Sequence, residues 1–132
     1  MDFNIKTSKK HEVIDITAKI NEIVNKSGVK KGICNIFVMH TTMALTINEN
    51  KDSKVDADLL KNMERLFPKD SNYLHNQIDN NAEAHLKAAV IGPSETIPIE
   101  NGKLKLGTYQ TLMACEFDGP RERIINVEII KG

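Results

Sequence analysis

The stretch from Thr108 to Ile130 constrains the fold more than any other part of the chain. Gln110, Leu112, Ala114 and Glu116 share one face by the two-residue period of a strand, and Tyr109, Thr111, Met113, Cys115 and Phe117 share the other. Both faces carry apolar residues, so this strand belongs at the centre of a covered sheet. Gln110 and Glu116 are then costly unless they are paired. Asp118-Gly119-Pro120 is a turn signal. Beyond it Arg121 and Arg123 point to one side together with Ile125, Val127 and Ile129. Two arginines on an apolar face need carboxylates or phosphate. Two readings stand: pairing with Glu116 and Asp118 across a closing hairpin, or binding of an anion.

The rest of the chain supplies further strands and two or three helices. Phe3, Ile5 and Thr7 alternate, Ser8-Lys9-Lys10 reads as a turn, and Glu12 to Ile16 favours β, which predicts an opening hairpin. Thr17 or Asp15 caps a helix with Ile20, Ile23 and Val24 on its buried side, and Gly28 stops it. Ile33 to Met39 is a buried-type strand running into His40, and Leu45 and Ile47 alternate in the next one. Ser53 and Asp56 resemble a capping box ahead of Val55, Leu59, Met63 and Leu66, an amphipathic helix ended by Pro68. After a polar loop, Asn80 or Asn81 caps Ala82 to Val90, with Leu86, Ala89 and Val90 as its buried stripe. Glu100-Asn101-Gly102 joins two further strands as a hairpin. Strands arriving in hairpins, without β-α-β alternation, predict an α+β class with a mainly antiparallel sheet. No linker or repeat divides the 132 residues, so one domain spanning 1–132 is expected.

Composition removes several function classes. Lys plus Arg and Asp plus Glu both number 18, and six aromatics in the whole chain give neither a basic stripe nor a stacking platform for nucleic acid. Apolar runs such as Ile36-Phe37-Val38-Met39 are far short of a membrane span. The opening Met1-Asp2-Phe3-Asn4 lacks the basic and apolar regions of a signal peptide, which points to a cytoplasmic protein. Cys34 and Cys115 form no close-spaced metal or redox motif and are expected as two buried free thiols. The dinucleotide, P-loop, hydrolase-elbow and zincin motifs are absent.

What remains is a set of polar residues where a core prefers apolar ones. His40, followed by Thr41-Thr42, ends a buried-type strand, where an imidazole can titrate, donate to an anion or bind a metal. His85 lies at the edge of the short helix's apolar stripe between small residues, and His75 precedes that helix. His40 and His85 are the candidate acid–base groups, with Glu116 or Asp118 to orient an imidazole or an arginine. Arg121 and Arg123 are candidate phosphate ligands. Glu49, Asp52, Asp56 and Asp58 crowd a helix start, where capping explains most of them and Mg²⁺ is the alternative. His40, His75 and His85 are also a candidate Zn²⁺ set, although their spacing matches no known ligand pattern.

Five segments, in order, resemble the YjbQ-like family, the group also named the secondary thiamine-phosphate synthase enzyme family. They are His40 to Asn50, Asp56 to Leu59, Asn81 to Lys87, Gly102 to Gln110 and Glu116 to Arg123, with Tyr109 where tryptophan is common in the family. The resemblance implies a β-sandwich-like arrangement of sheets and a homotrimer with clefts between subunits. It also implies an ability to make thiamine phosphate from a pyrimidine methyl pyrophosphate and a thiazole phosphate. The family's suspected site falls on His40, His75, His85, Glu49, Gln110, Glu116, Asp118, Arg121 and Arg123. Three functions remain open: a phosphate-ester enzyme, a metal-dependent site, and a non-catalytic binder of a phosphorylated small molecule.

Overall fold

A computed structural model describes all residues, Met1–Gly132. The elements in order are β1 (Asp2–Lys6), β2 (Glu12–Asp15), α1 (Thr17–Ser27), β3 (Lys31–Val38), β4 (Met43–Asn48) and α2 (Lys54–Leu66). A 3-10 turn (Leu74–Gln77) leads into α3 (Ala82–Ile91), β5 (Ser94–Glu100), β6 (Lys103–Leu104), β7 (Thr111–Glu116) and β8 (Glu122–Lys131). One sheet has the order β1-β8-β3-β5-β6 and the other β2-β7-β4, with every pairing antiparallel. The result is an α+β fold of two stacked sheets. No helix is long and apolar enough to cross a membrane.

Two cores follow from the alternation. Cys34, Ile36 and Val38 of β3 and Ile125 and Val127 of β8 face Leu45 of β4 and Leu112 and Ala114 of β7, with Ile20, Ile23 and Val24 of α1 joining them. The other face of β4 and β7, Ala44 and Cys115, packs on Met63, Ala84 and Ala88 of α2 and α3 together with Phe117. The second sheet is thus covered on both sides, as a strand apolar on both faces requires. Both cysteines are buried and free, and burial pushes their thiols up to about 11 for Cys34 and about 12 for Cys115.

The two terminal hairpins are not formed. β1 pairs with β8 and β2 with β7, so the chain changes sheet at Ser8-Lys9-Lys10 and again at Asp118-Gly119-Pro120. The two corners are fastened to each other: Thr7 N–H donates to the Arg121 carbonyl at 2.9 Å and Gly119 N–H to that of Lys10 at 3.1 Å. A Cβ on Gly119 would lie 2.2 Å from the Lys9 carbonyl oxygen, so only glycine permits this approach. The Asn101-Gly102 hairpin does form, with both residues at positive φ and Ile99 opposite Leu104.

Helix ends depart from the expected caps. Asp15 Oδ1 accepts from the Thr17 N–H at 2.9 Å, and Thr17 Oγ1 instead ties α1 to the backbone of Leu112. Ser53 sits at φ 60° and makes no capping bond, so the Ser53–Asp56 box is absent; Asp52 Oδ1 takes the Lys54 N–H instead. Leu66 is left exposed, and Phe67 turns into the core in its place.

Helix α3 is turned over relative to the expected stripe. Leu86 and Val90 are 38% and 63% exposed, whereas Glu83 and Lys87 are 1% exposed. The small Ala84 and Ala88 allow close packing against β4, and the charged face is buried because other charges meet it. Lys87 Nζ bonds Glu64 of α2 and stands over the Phe117 ring, while Lys10 Nζ lies 3.4 Å from Glu83. By the helical period, residues 83 and 87 lie about 40° apart and His85 is on the far side. That rotation delivers His85 to the site.

Candidate functional site

The corner after β7 builds the floor. Glu116 is fully buried, and its carboxylate accepts from Arg123 Nε (2.8 Å), the Thr7 hydroxyl (2.8 Å), the Asp118 N–H (2.9 Å) and Arg123 Nη2. Burial alone would raise its carboxyl, but the bonds from Arg123, Asp118 and Thr7 outweigh that and hold it below the ordinary carboxylate value. Arg123 Nη2 also donates to Thr42 Oγ1 at 2.8 Å. Arg121 turns back on the same corner, donating from Nε to the Asp118 carbonyl (2.8 Å) and from Nη2 to Asp118 Oδ2 (3.0 Å). Both arginines therefore take the carboxylate pairing that the sequence left open beside anion binding. Arg121, which is half exposed, keeps Nη1 without a protein partner.

A polar relay runs from this corner into α3. Asn81 Nδ2 donates to Asp118 Oδ2 at 2.8 Å, and Asn81 Oδ1 lies 3.1 Å from His75 Nε2. The carboxylate accepts only, which fixes the amide orientation and makes His75 Nε2 the donor to Asn81. His75 then meets His85 edge-to-face, with ring centroids 4.7 Å apart. Asn81 thus spends its side chain on the site, and the Ala82 N–H is capped by Asn76 Oδ1 at 3.1 Å. The sequence placed Asn81 at a helix start but gave no sign that its amide served elsewhere.

His40 has a fixed tautomer. The Ile124 N–H donates to its Nε2 at 2.8 Å, so a neutral ring carries its proton on Nδ1. Desolvation and the Arg123 charge lower its pKa, with Glu116 opposing them. An imidazole bonded in this way has no lone pair left for a metal. This removes His40 from the proposed three-histidine Zn²⁺ set, and no three His, Cys, Asp or Glu side chains converge to hold an ion anywhere in the chain. The acidic residues near α2 do not converge on an ion site either, and Asp52 caps the helix.

These groups surround one open cavity of about 460 Å³. His40, His75, His85, Asp118, Arg121 and Arg123 all line it, although they come from four separate stretches of sequence, and Glu116 lies behind Arg123. Thr41, Thr42, Asp79, Asn81 and Met39 complete the lining and were not among the expected site residues. Two expected residues are elsewhere. Gln110 precedes β7, and its Oε1 accepts the N–H of Gly107 at 2.8 Å in an exposed turn of its own. Glu49 follows β4, with its N–H bonded to Asn48 Oδ1 at 2.7 Å, and does not reach the cavity. Strand alternation extended Gln110 onto the central strand, and the start of that strand at Thr111 is what leaves it out.

The whole chain, residues 1–132, matches the family model described as UPF0047 protein YjbQ-like. A UPF0047 protein of Methanocaldococcus jannaschii is 44% identical over 128 residues, covering 97% of this chain and 91% of the relative. One from Methanothermobacter thermautotrophicus is 43% identical over 125 residues, covering 95% and 87%. Among solved structures, a protein of unknown function from Sulfolobus solfataricus superposes with a TM-score of 0.96 at 41% identity, covering 100% of this chain and 96% of its own. An uncharacterised conserved protein from Clostridium acetobutylicum gives 0.94 at 46% identity, covering 98% and 99%. With the family model, relatives above 40% identity and solved folds all matching along nearly its full length, the chain belongs to the YjbQ-like UPF0047 family.

Proposed function

We propose that the cavity binds the phosphate of a small phosphorylated metabolite and that His40, His75 and His85 do acid–base work on it. The observation that carries this reading is the convergence of Arg121, with a free guanidinium edge, and three imidazoles on one cavity. His40 offers an N–H at Nδ1, and Thr41 and Thr42 line the cavity beside it. The arginines already face Asp118 and Glu116, so a phosphate needs additional positive charge. Histidine supplies such charge near neutral pH.

The test is calorimetric titration with inorganic phosphate and with pyrophosphate. We expect saturable binding, weakened about 10- to 100-fold in Arg121→Ala, the range for a lost charge-assisted bond. Absence of binding for both anions overturns the reading. Thiamine-phosphate synthesis is one reaction this site would serve. The carbon–oxygen bond to pyrophosphate breaks, the thiazole nitrogen takes the carbon, and pyrophosphate leaves with the electron pair, protonated by an imidazole. Product that persists in both His85→Ala and Arg121→Ala excludes that reaction here. Binding without turnover of any phosphate ester leaves the non-catalytic alternative, a binder of phosphorylated metabolites.

We propose further that the chain assembles as a homotrimer in the cytoplasm. What supports assembly is exposed apolar surface: Leu74 and Ile78, on either side of His75 in sequence, and Val90 of α3 are 82%, 86% and 63% exposed. Light scattering should return three times the monomer mass; a monomer at micromolar concentration contradicts it.

A further inference from the structure

Beside the polar cavity lies a second hollow of about 260 Å³, and the two share His40, Thr41 and His85. Their chemistry differs. The larger cavity has Met39 as its only hydrophobic residue, whereas the smaller is closed by Met43, Ala88, Ala89 and Pro93. The apolar wall is rigid: Met43 and Ala88 are 1% and 5% exposed, and the Pro93 carbonyl accepts the Val38 N–H at 2.8 Å. The hollow exists because α3 presents alanines here, and a longer side chain would fill it.

We infer that the site takes a bipartite ligand, with a phosphate in the polar cavity joined to a compact apolar ring or branched group held by Met43, Ala88, Ala89 and Pro93. This rests on the phosphate reading above. His40 and His85 then stand at the join, beside the bond linking the phosphate to the rest of the molecule. The hollow is smaller than the roughly 300 Å³ at which pockets for drug-sized ligands begin, so it holds one substituted ring and not a long chain. No side-chain charge faces that part of the ligand except through the shared histidines.

Methyl phosphate and phenyl phosphate, titrated against the full chain, separate the two halves of the site. Phenyl phosphate should bind about tenfold more tightly, the gain from half-burying one ring. In Ala89→Leu, an exposed position, that ratio should collapse toward one. The Ala88 and Ala89 methyl signals in NMR should shift with phenyl phosphate and not with methyl phosphate, a readout independent of any variant. Equal affinities in the unaltered protein, or a ratio that survives Ala89→Leu, overturn the bipartite inference while leaving the phosphate reading intact. Binding of neither ester, with none of inorganic phosphate, removes both.

Discussion

Replacing Arg123 by alanine should lower the melting temperature by on the order of 10–20 °C. Glu116 is fully buried, and the guanidinium supplies two of its four protein hydrogen bonds as well as the only buried positive charge beside it. Removing one partner of such a pair leaves an uncompensated buried charge, at about 3–5 kcal/mol; a domain this size loses roughly 3–5 °C per kcal/mol. The pH dependence has a definite sign. Glu116 is held below its ordinary carboxylate value in the folded chain, so the folded state binds fewer protons there than the unfolded one. Its contribution is therefore complete above the unfolded value of 4.5 and is lost as pH falls through the lower folded value. In Arg123→Ala burial instead raises the carboxyl, so this acid-side loss disappears and the deficit against the unaltered protein narrows as pH falls toward 3. The double variant Arg123→Met/Glu116→Leu, which removes both charges, should recover most of the stability at neutral pH. Scanning calorimetry between pH 3 and pH 7 checks both. An Arg123→Ala variant within 3 °C of the unaltered protein would show that the pair does not hold the corner.

What the sequence made legible was chiefly what alternation and punctuation control. Strand β7 reads as central because both its faces are apolar, and Gly28, Pro68 and Asn101-Gly102 mark stops and turns by backbone chemistry alone. The Glu116–Arg123 pair was legible for a different reason: an arginine on an apolar face needs a carboxylate, and the preceding strand offers one. Sheet membership was not legible, because a turn at Ser8-Lys9-Lys10 or Asp118-Gly119-Pro120 has the same local chemistry whether it closes a hairpin or carries the chain between sheets. The difference lies in long-range pairing, Thr7 with Arg121 and Lys10 with Gly119. Asn81 shows a similar limit: it starts α3 as its residue type suggests, but only its position beside Asp118 and His75 turns its amide into part of the site.

The largest failure of pattern reading, the face of α3, leads to the second large effect. Periodicity put Leu86 and Val90 inside, yet the helix buries Glu83 and Lys87. Lys87→Ala should cost about 3–5 kcal/mol, because it removes the buried ammonium that bonds Glu64 and stands over the Phe117 ring, on a helix face that already buries Glu83 with no hydrogen-bond partner for its carboxylate oxygens. Without Lys87, α3 gains by rotating toward its apolar stripe, which would carry His85 and Asn81 off the cavity. The expected outcome is a loss of stability joined to a loss of phosphate affinity greater than tenfold at a temperature where the variant is still folded. Glu83→Leu/Lys87→Leu separates the two effects, since apolar residues at both positions leave no buried charge on α3, while Lys10 and the half-exposed Glu64 can turn to solvent, so stability should be restored. If that double variant also restores phosphate affinity, the rotation of α3 is set by packing against β4. If it is stable but does not bind, the buried charges themselves hold His85 in place. Lys87→Ala that folds with normal stability and normal affinity would mean that neither the charges nor the helix rotation governs the site.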